Sequence, residues 1–490
     1  MSELSINAKK VLERRYLLRD GEEGDASETP EQMFRRVARA ISAVEEEPLE
    51  AEQRFYNMMA SLQFLPNSPT LMNAGTENGQ LSACFVLPVE DSIGGIFGTL
   101  EKMVKIHRSG GGTGFSFSKL RPRGDDVKST RGVASGPVSF IQIFDVATEV
   151  VKQGGKRRGA NMGMLRIDHP DIIEFIQSKS EEGALKNFNL SVAVGDDFML
   201  AVEGDNYYNL INPRTGSATE SLKAREILDL IVEMAWKTGD PGLIFLDRIN
   251  VDNPTPHIGM IESTNPCGEQ PLLPYESCNL GSINLGKMVS SGKIDWDRLK
   301  QLVRDSVDFL DDVIEVNKFP LQKVKEMTKA NRKIGLGVMG FADMLIRLGI
   351  PYNSDEALEV AEDVMKFIYE NARERSRELG ELRGNFPNFE DSIISGVYES
   401  MRNATTCTIA PTGTLSIIAG SSSGIEPLFA VAYVRDVLDG EHLLEVDSYF
   451  KELLTIREIF SEELLRKIAR SGSIQGIPEI PEDIKKLFLT

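Results

Sequence analysis

The spacing of apolar residues predicts two amphipathic helices in the first third of the chain. Between residues 96 and 107 the apolar positions with helical spacing include Ile96, Leu100, Met103 and Val104. Between residues 138 and 153 they include Ile141, Phe144, Ala147, Val150 and Val151. A recurrence every three or four residues places apolar side chains on one face of a helix. We therefore predict helices over residues 96–107 and 138–153, each ending close to glycines.

The first sixty residues carry a helical pattern as well. Thr29 is followed by a proline, a glutamate and Gln32. This is the order of an N-cap, a first-turn proline and the third residue of a capping box. The apolar face of the stretch MFRRVARAISAV follows directly. We predict an N-terminal helical region over residues 1–60.

From residue 61 onward the pattern changes to short apolar runs that alternate with helical stretches. The runs ACFVLPV, NFNLSVAV, GLIFLD and KIGLGVMGF are bounded by glycine-rich loops, as expected for buried strands. Strands alternating with helices indicate an α/β fold. Because no repeat or linker divides residues 61–490, we predict one architecture there. The late segment HLLEVDSYFKELLTIREIFSEELLRKIA, residues 442–469, is predicted as C-terminal helices.

Composition and charge exclude several classes of function. With 490 residues and 41% hydrophobic residues, the chain can bury a large core. It has no run of eighteen apolar residues, and its start is charged, so we predict a cytoplasmic protein without a membrane partner. The net charge of −19 argues against nucleic acid as a partner, since proteins that bind it concentrate uncompensated Lys and Arg.

The chain has four cysteines, too few for a disulfide framework at this length. They are Cys84, Cys267, Cys278 and Cys407. None forms a C-x-x-C pair, and the four histidines at 107, 169, 257 and 442 lack metal-binding spacing. We therefore predict no metal site. A cysteine that matters here should be a reactive thiol.

Two cysteines lie in polar, turn-rich segments where packing gives no reason for a thiol. Cys267 stands between Pro266 and Gly268, with Glu269 two residues further on. Such a loop can aim a thiol and a carboxylate at one small ligand, which suggests covalent or radical chemistry. The alternative is a buried small residue beside a solvated charge. Cys278 lies in the similarly polar ESCNLGS.

The other two cysteines have structural interpretations on local grounds. Cys84 lies in the strand-like LSACFVL and can be a packed core thiol. Cys407, in TTCTIAPTGT, has no acid, base or second thiol near it in sequence. We therefore predict a structural role for Cys407.

Two further segments could bind anions. Residues 411–416, PTGTLS, can present backbone N–H groups and hydroxyls to a phosphate. They lack the lysine of a Walker motif, so an ordinary loop and helix cap is the alternative. Residues 152–159, KQGGKRRG, form a basic glycine loop in an acidic protein. This loop is either a second anion site or a solvated, mobile loop.

Many collinear motifs of this chain resemble the catalytic subunit of ribonucleotide reductase, most closely the adenosylcobalamin-dependent class II branch. They include NSPTLMNAG, LSACFVLPVEDS, SGGGTGFSFSKLRPRG, KQGGKRRGANMG, NPCGEQ, SCNLGSINL, NRKIGLGVMGFADML and TIAPTGTLSIIAGSSSGIEP. The resemblance implies a ten-stranded α/β barrel of two parallel five-stranded halves. It also implies that the NPCGE loop threads the barrel as a finger.

The resemblance assigns roles to the residues of that loop. Cys267 matches the cysteine that becomes a thiyl radical and removes hydrogen from C3′ of the ribose. Glu269 matches the general base, and Asn265 the residue that holds the ribose hydroxyls. Cys84 and Cys278 match the thiol pair that supplies two electrons and ends as a disulfide. A thioredoxin-like reductant would restore that pair.

The resemblance also implies two nucleotide sites. The substrate site matches Ser68, Ala83, Gly112, Pro411, Thr412, Gly413, Thr414 and Leu415. The effector site, where a deoxynucleoside triphosphate selects the base to be reduced, matches Asp91, Arg121, Lys152, Gln153 and Arg157. Effector binding occurs at the interface of a homodimer, through the helices predicted over 96–107 and 138–153. The chain lacks the extra N-terminal helical domain of many relatives, so overall control by dATP is not expected.

The chain departs from the family pattern at its end, IPEDIKKLFLT, because family members continue beyond this point. The expectation is a barrel without its last part, to which a second chain supplies the missing region, or a naturally short or engineered form. Three functions remain open: a cobalamin-dependent reductase, a reductase whose radical comes from a ferritin-like subunit, or a catalytically silent nucleotide-binding fragment.

Overall fold

The computed structural model describes residues 4–19, 24, 26–127, 132–151, 159–437 and 441–490. Three residues of the predicted effector site, Lys152, Gln153 and Arg157, lie outside these ranges. None of the helices in the described ranges combines the length and the apolarity that a membrane crossing requires.

The helices of the described residues follow one another along the whole chain. They are α1 (Ile6–Arg15), α2 (Pro30–Ser42), α3 (Pro48–Ala60), α4 (Ser68–Asn73), α5 (Ile93–Arg108), α6 (Pro137–Val150), α7 (Ile172–Gln177), α8 (Asp196–Glu203), α9 (Ala224–Thr238), α10 (Leu246–Val251), α11 (Trp296–Val316), α12 (Gln322–Asn331), α13 (Phe341–Leu348), α14 (Asp355–Arg383), α15 (Gly413–Ala419), α16 (Ser448–Ile456), α17 (Glu462–Ser471) and α18 (Glu482–Leu487).

The strands begin after the third helix. They are β1 (Phe64–Pro66), β2 (Cys84–Val86), β3 (Gly112–Ser116), β4 (Asp126–Val127), β5 (Gly132–Val133), β6 (Asn161–Arg166), β7 (Phe188–Val194), β8 (Tyr207–Ile211), β9 (Ala218–Lys223), β10 (Gly242–Phe245), β11 (Ser263–Thr264), β12 (Pro271–Leu272), β13 (Ser277–Asn284), β14 (Val289–Ser290), β15 (Lys293–Ile294), β16 (Ile334–Met339), β17 (Ala432–Val437) and β18 (Glu441–Val446). A 3₁₀ turn spans Leu285–Met288.

The central sheet joins two sets of parallel strands at one antiparallel pair. In the first set β2, β3, β6, β7 and β10 each run parallel to the next. β13 is antiparallel to β2 and β1, and parallel to β16. A parallel bridge between Leu336 and Cys407 continues the second set. The expected parallel half of five strands is therefore present, and part of a second half runs against it.

The helix predictions for the capping-box segment and for residues 96–107 are confirmed, and that for residues 138–153 is confirmed as far as Val150. In α2 Thr29 accepts from the Gln32 backbone N–H while the Gln32 side chain accepts from that of Thr29, which completes the predicted capping box. α5 covers the predicted 96–107 and starts three residues earlier, after Ser92 caps its N-terminus. α6 begins with Pro137 and ends at Val150, and the last residues of the predicted 138–153 lie outside the described ranges.

The prediction of helices throughout 442–469 is wrong in its first part. Residues 442–446 belong to β18, which pairs in register with β17 from Val437↔Glu441 to Ala432↔Val446. Pairing with a neighbouring strand overrides the local helical spacing. An Asp439-Gly440 dipeptide between apolar runs is a hairpin signal in the sequence. Helices α16 and α17 then follow as predicted.

Three hydrophobic clusters support the sheet from different sides. The largest joins α1, α2 and α3 to α11, β13 and β16, so the N-terminal helices share a core with the sheet. The second packs α5, α6 and α9 against the first parallel half. The third gathers α16, α17 and α18 against α13. The face of the sheet that carries Cys84 and Cys278 has a small cluster of its own.

Candidate active site

Cys84 and Cys278 lie directly opposite each other across the antiparallel pair of β2 and β13. Both thiols are buried, at 3% and 0% exposure, in a cluster that includes Val86, Leu280 and Ala410. Residues opposed in this way have Cα atoms about 4.5–5.5 Å apart, and a disulfide spans Cα distances of about 4.4–6.8 Å. The two thiols can therefore be oxidised to a disulfide without movement of the strands.

The surroundings of Cys278 keep its thiol protonated. Burial raises the pKa of Cys278 well above its usual value, and Lys333 opposes this effect. Glu276 and Glu269 add smaller contributions that also raise the pKa. A thiol in this state donates hydrogen and becomes nucleophilic only after losing its proton.

Cys267 stands on a finger loop between the short strands β11 and β12. The Gly268 N–H donates to the Asn265 carbonyl at 3.1 Å, which closes a tight turn. Gly268 has a φ of +88°, a conformation that glycine adopts without strain. The Gln270 N–H donates to Asn265 Oδ1 at 2.9 Å and fixes the base of the loop. The Cys267 thiol is exposed, in contrast to the buried pair.

Neighbouring strands hold the finger loop by close backbone contact. A Cβ on Gly114 would lie 1.7 Å from the Thr264 carbonyl oxygen, and one on Gly112 would lie 2.8 Å from the Pro266 ring. Asn189 Nδ2 donates to the Pro266 carbonyl at 2.7 Å. Glycine in β3 is therefore required for the loop to pass. Sequence reasoning missed Gly114 and Asn189, because nothing local marks contacts across the fold.

Thr408 anchors the other side of the loop, where its Oγ1 donates to the Glu269 carbonyl at 2.9 Å. Asn265 Nδ2 donates to Cys84 Sγ at 3.1 Å. This bond connects the base of the finger to the thiol pair. The structure thus brings Asn265, Cys267 and Glu269 together with Cys84 and Cys278, although these residues are up to 194 positions apart in the chain.

The predicted phosphate loop lies next to the same cluster. Ala410, which packs with both buried cysteines, directly precedes Pro411. Thr412 has a φ of +54°, and its Oγ1 accepts from the Gly424 N–H at 2.8 Å. Gly413 begins α15, so backbone N–H groups of residues 413–415 are at the start of a helix.

The remaining residues of the predicted substrate site are Ser68, Ala83 and Gly112. Ser68 lies in α4, Ala83 directly before β2, and Gly112 in β3. The Gly112 N–H donates to the Ala83 carbonyl at 2.8 Å, and Gly112 pairs with Cys84 in register. Ser68 begins α4 and shares a 2.7 Å hydrogen bond with the Tyr16 hydroxyl of the α1 end. α1 in turn packs on α15. Tyr16 is a contact that sequence reasoning did not identify.

The two described residues of the predicted effector site contact each other. Arg121 Nε donates to Asp91 Oδ2 at 2.9 Å, and its backbone N–H donates to Asp91 Oδ1 at 3.2 Å. Nearby, α5 and α6 expose apolar side chains, which are Ile93, Phe97, Ile143, Val146 and Val150. An exposed apolar surface on two adjacent helices is typical of a protein–protein interface.

Cys407 differs from the other three thiols. It is partly buried against the largest core, and Thr406 Oγ1 donates to its sulfur at 3.6 Å. Burial raises its pKa to about 11. This environment is consistent with the structural role predicted for it. Within the described ranges no group of three or more His, Cys, Asp or Glu residues is placed to hold a metal ion.

Comparison with protein-family models matches almost the whole chain. A model described as ribonucleotide reductase, barrel domain, matches residues 82–400 and 396–490. A second, described as ribonucleotide reductase, all-alpha domain, matches residues 2–79.

Named relatives agree with these models. The chain is 54% identical, over 99% of its length, to the vitamin B12-dependent ribonucleoside-diphosphate reductase of Thermoplasma acidophilum, and it covers 71% of that protein. It is 50% identical, again over 99% of its length, to the protein of the same name from Mycobacterium tuberculosis, of which it covers 71%. The large subunit of ribonucleoside-diphosphate reductase from Caenorhabditis elegans is 31% identical over 98% of the chain, which covers 68% of that subunit.

Proposed function

Because this chain belongs to the ribonucleotide reductase family, we propose that it reduces ribonucleoside diphosphates to 2′-deoxyribonucleoside diphosphates. The relatives from Thermoplasma acidophilum and Mycobacterium tuberculosis are both named ribonucleoside-diphosphate reductases, which supports a diphosphate substrate. The observation that carries the proposal is the position of Cys84 directly opposite Cys278, with Cys84 hydrogen-bonded to Asn265 of the loop that presents Cys267. A thiol for radical chemistry and a thiol pair for two electrons thus share one site.

Each residue of the site has a role in the proposed reaction. A thiyl radical at Cys267 removes the hydrogen atom from C3′, and Glu269 takes the proton of the 3′-hydroxyl. The 2′-hydroxyl then leaves as water with a proton from the thiol pair. Cys84 and Cys278 supply two electrons and form a disulfide, their second hydrogen goes to C2′, and Glu269 returns its proton to the 3′ oxygen. Finally, Cys267 returns the hydrogen atom to C3′, so its thiyl radical is regenerated.

The chain fits a radical source that reaches Cys267 from outside the buried pocket. The Cys267 thiol is exposed at the end of its loop, whereas Cys84 and Cys278 are buried. When bound, adenosylcobalamin supplies an organic radical that removes the hydrogen atom of the Cys267 thiol. The finger loop, held by Gly114 and Thr408, keeps that thiol at the entrance to the site.

Asn265 and the loop of Pro411 to Leu415 orient the substrate in this proposal. Asn265 is buried beside Cys84 and can exchange its hydrogen bond to sulfur for one to a ribose hydroxyl. The backbone N–H groups of Gly413, Thr414 and Leu415 receive the diphosphate, because helix starts favour anions. Ser68, Ala83 and Gly112 line the same pocket.

Specificity follows from a second nucleotide in a homodimer. The ion pair of Asp91 with Arg121 lies next to the exposed apolar surface of α5 and α6. We place the deoxynucleoside triphosphate effector there, with Lys152, Gln153 and Arg157 completing its site. In the same proposal residues 1–60 form the helical region and residues 61–490 the barrel. The protein works in the cytoplasm, where a thioredoxin-like dithiol keeps its thiols reduced.

Turnover of a ribonucleoside diphosphate tests the proposal. Purified chain, adenosylcobalamin and dithiothreitol should convert CDP or ADP to the deoxynucleotide, with an effector triphosphate present. Turnover that requires a separate ferritin-like subunit instead would favour the alternative source of the radical. Nucleotide binding without turnover under either condition would contradict the proposed reaction and indicate a silent nucleotide-binding chain.

A further inference from the structure

A lysine lies beside the two opposed cysteines, on the next strand segment across the sheet. β13 and β16 are parallel with Asn279 opposite Ile334, so the preceding residues, Cys278 and Lys333, stand side by side. Cys84 stands on the other side of Cys278. Residues side by side in a sheet point to the same face. Lys333 therefore shares the face of the thiol pair, where its charge acts on the Cys278 thiol.

Lys333 is held by the carboxylate of Glu276, which lies two residues before Cys278. Its Nζ lies 2.6 Å from Glu276 Oε2, and the two side chains are only 2% and 1% exposed. Glu276 also accepts from the Leu273 N–H at 2.6 Å and from Asn331 Nδ2. These bonds fix the position of the carboxylate and, through it, that of the ammonium group.

Stability alone does not explain this buried pair. Taking two charges out of water costs several kcal/mol each, and apolar residues of similar size are often equally stable in such positions. An effect of the charge on a neighbouring reactive group would offset this cost. The nearest reactive group across the sheet is the sulfur of Cys278.

We propose that Lys333, held by Glu276, is a positioning residue for re-reduction of the Cys84–Cys278 disulfide, because it places a positive charge beside the sulfur that must leave as a thiolate. The proposal rests on the redox role proposed above for the thiol pair. It adds Lys333 and Glu276, which are neither in the finger loop nor in the predicted nucleotide sites.

The step is a thiol–disulfide exchange with an external dithiol. A thiolate of the dithiol attacks the Cys84 sulfur, a new S–S bond forms, and the Cys84–Cys278 bond breaks. The electron pair of the broken bond goes to Cys278, which leaves as a thiolate beside Lys333 and then takes up a proton. The second thiolate of the dithiol displaces Cys84. The dithiol is oxidised, the protein disulfide is reduced, and two protons pass from the dithiol to the two cysteines.

Several titratable groups lie around Cys278 and affect the pH dependence of its ionisation. Glu276 directly precedes β13, Lys333 directly precedes β16, Glu269 lies on the finger loop and the Cys84 thiol on β2. Lys333 is the cation among the groups that influence Cys278. Its removal should therefore destabilise the thiolate at every pH.

The test measures disulfide reduction without turnover. In a Cys267→Ser/Cys407→Ser chain the remaining pair is oxidised with diamide, and its reduction by dithiothreitol is followed between pH 7 and pH 9. Loss of the stabilised leaving group in Glu276→Gln/Lys333→Met should slow reduction by about tenfold at each pH, since thiols of higher pKa leave more slowly. Because no cobalamin or nucleotide is used, failed turnover of the unsubstituted chain would reject the proposed function without affecting this result.

Lys333→Arg is the matched conservative variant. Arginine keeps a cation that Glu276 can hold, so it should recover most of the rate that is lost in the double variant. Equal slowing in both variants would mean a purely structural role, and an unchanged rate in the double variant would equally overturn the proposal. If Glu276→Gln/Lys333→Met does not fold, Glu276→Gln/Lys333→Gln, with a neutral hydrogen-bonded pair, is judged by the same rate.

Discussion

Cys84 and Cys278 face each other in register across two antiparallel strands, although they are 194 positions apart in the chain. Asn265, at the base of the finger loop, donates a hydrogen bond to the Cys84 sulfur. The loop that carries Cys267 is thereby tied to the thiol pair. The proposed radical and reduction steps therefore involve one connected set of residues, and this connection makes the following outcomes testable.

Replacement of Cys267 should remove activity, while replacement of Cys407 should not. Cys267→Ala takes away the thiol needed before any substrate bond breaks, so turnover should fall at least about a thousandfold. Cys407→Ser is the matched control, because the Cys407 side chain packs against the largest hydrophobic core, whereas its neighbour Thr408 contacts the finger loop. Turnover and thermal stability are measured together for both variants. Equal inactivation of a stably folded Cys407→Ser protein would contradict the assignment of the thiols.

Replacement of either member of the buried pair should separate radical formation from reduction. Cys84→Ser and Cys278→Ser keep Cys267 and the finger loop, so substrate-dependent consumption of adenosylcobalamin should persist. Deoxynucleotide should not accumulate, since a single thiol cannot supply two electrons as a disulfide. Stopped-flow absorbance and product analysis are compared on the same samples. Multiple turnovers by either variant would exclude the proposed reductant pair.

A single methyl group on Gly114 should displace the finger loop. The added Cβ would lie 1.7 Å from the Thr264 carbonyl oxygen, which belongs to backbone and cannot rotate away. We expect Gly114→Ala to lose most of its turnover and about 1–3 kcal/mol of unfolding free energy. Gly476→Ala, at a position with open space for a Cβ, is the control. Turnover and urea unfolding check this expectation, and normal activity of Gly114→Ala would refute the threading of the loop past β3.

A charge on the exposed face of α6 should weaken the proposed homodimer. Val146 is 62% exposed on α6, and burial against a second subunit would make an aspartate there costly. Val146→Asp should raise the dimer dissociation constant by about tenfold or more, equal to about 1.4 kcal/mol. Leu382→Asp, on the exposed side of α14, should leave it unchanged. Sedimentation with and without dTTP measures both variants, and an unaltered dimer constant for Val146→Asp would place the interface elsewhere.

Asp447 should make the C-terminal helices sensitive to pH. Burial, together with the nearby Asp343, raises the pKa of Asp447 from 3.8 to about 6. The folded protein therefore binds more protons than the unfolded chain between about pH 4 and pH 6, so this carboxylate lowers stability as pH rises through that window. Asp447→Asn should gain about 2 kcal/mol at pH 8, and the gain should shrink towards pH 5.5.

The asparagine can still cap α16, because Asp447 accepts from the Phe450 N–H and an amide oxygen does the same. Asp197→Asn, at the exposed start of α8, serves as the control for a changed helix-start charge. Thermal unfolding at several pH values measures both variants. A stability gain for Asp447→Asn that stays constant over the whole pH range would refute the raised pKa as its cause.

Local sequence determined the elements that depend on neighbouring residues. The capping box from Thr29 to Gln32, helices α5 and α6, and the strands β2, β7, β10 and β16 were all predicted from spacing and turn residues. Hydrogen bonds and side-chain contacts within a few residues set these features, so they can be read from a short window of sequence. The collinear motifs also identified the family before any contact was known.

Tertiary structure alone decided which residues from different segments of the chain contact each other. Cys84 has the local pattern of a core thiol, and only the register of β2 against β13 makes it the partner of Cys278. Residues 442–446 have helical spacing but form β18 because β17 lies beside them. Lys333 gave no signal in the sequence, since its meaning comes from a neighbouring strand. The positions of Cys84 and Lys333 depend on pairing between distant segments, and β18 depends on pairing with the strand that precedes it; in each case the free energy of pairing does not exist until the strands meet.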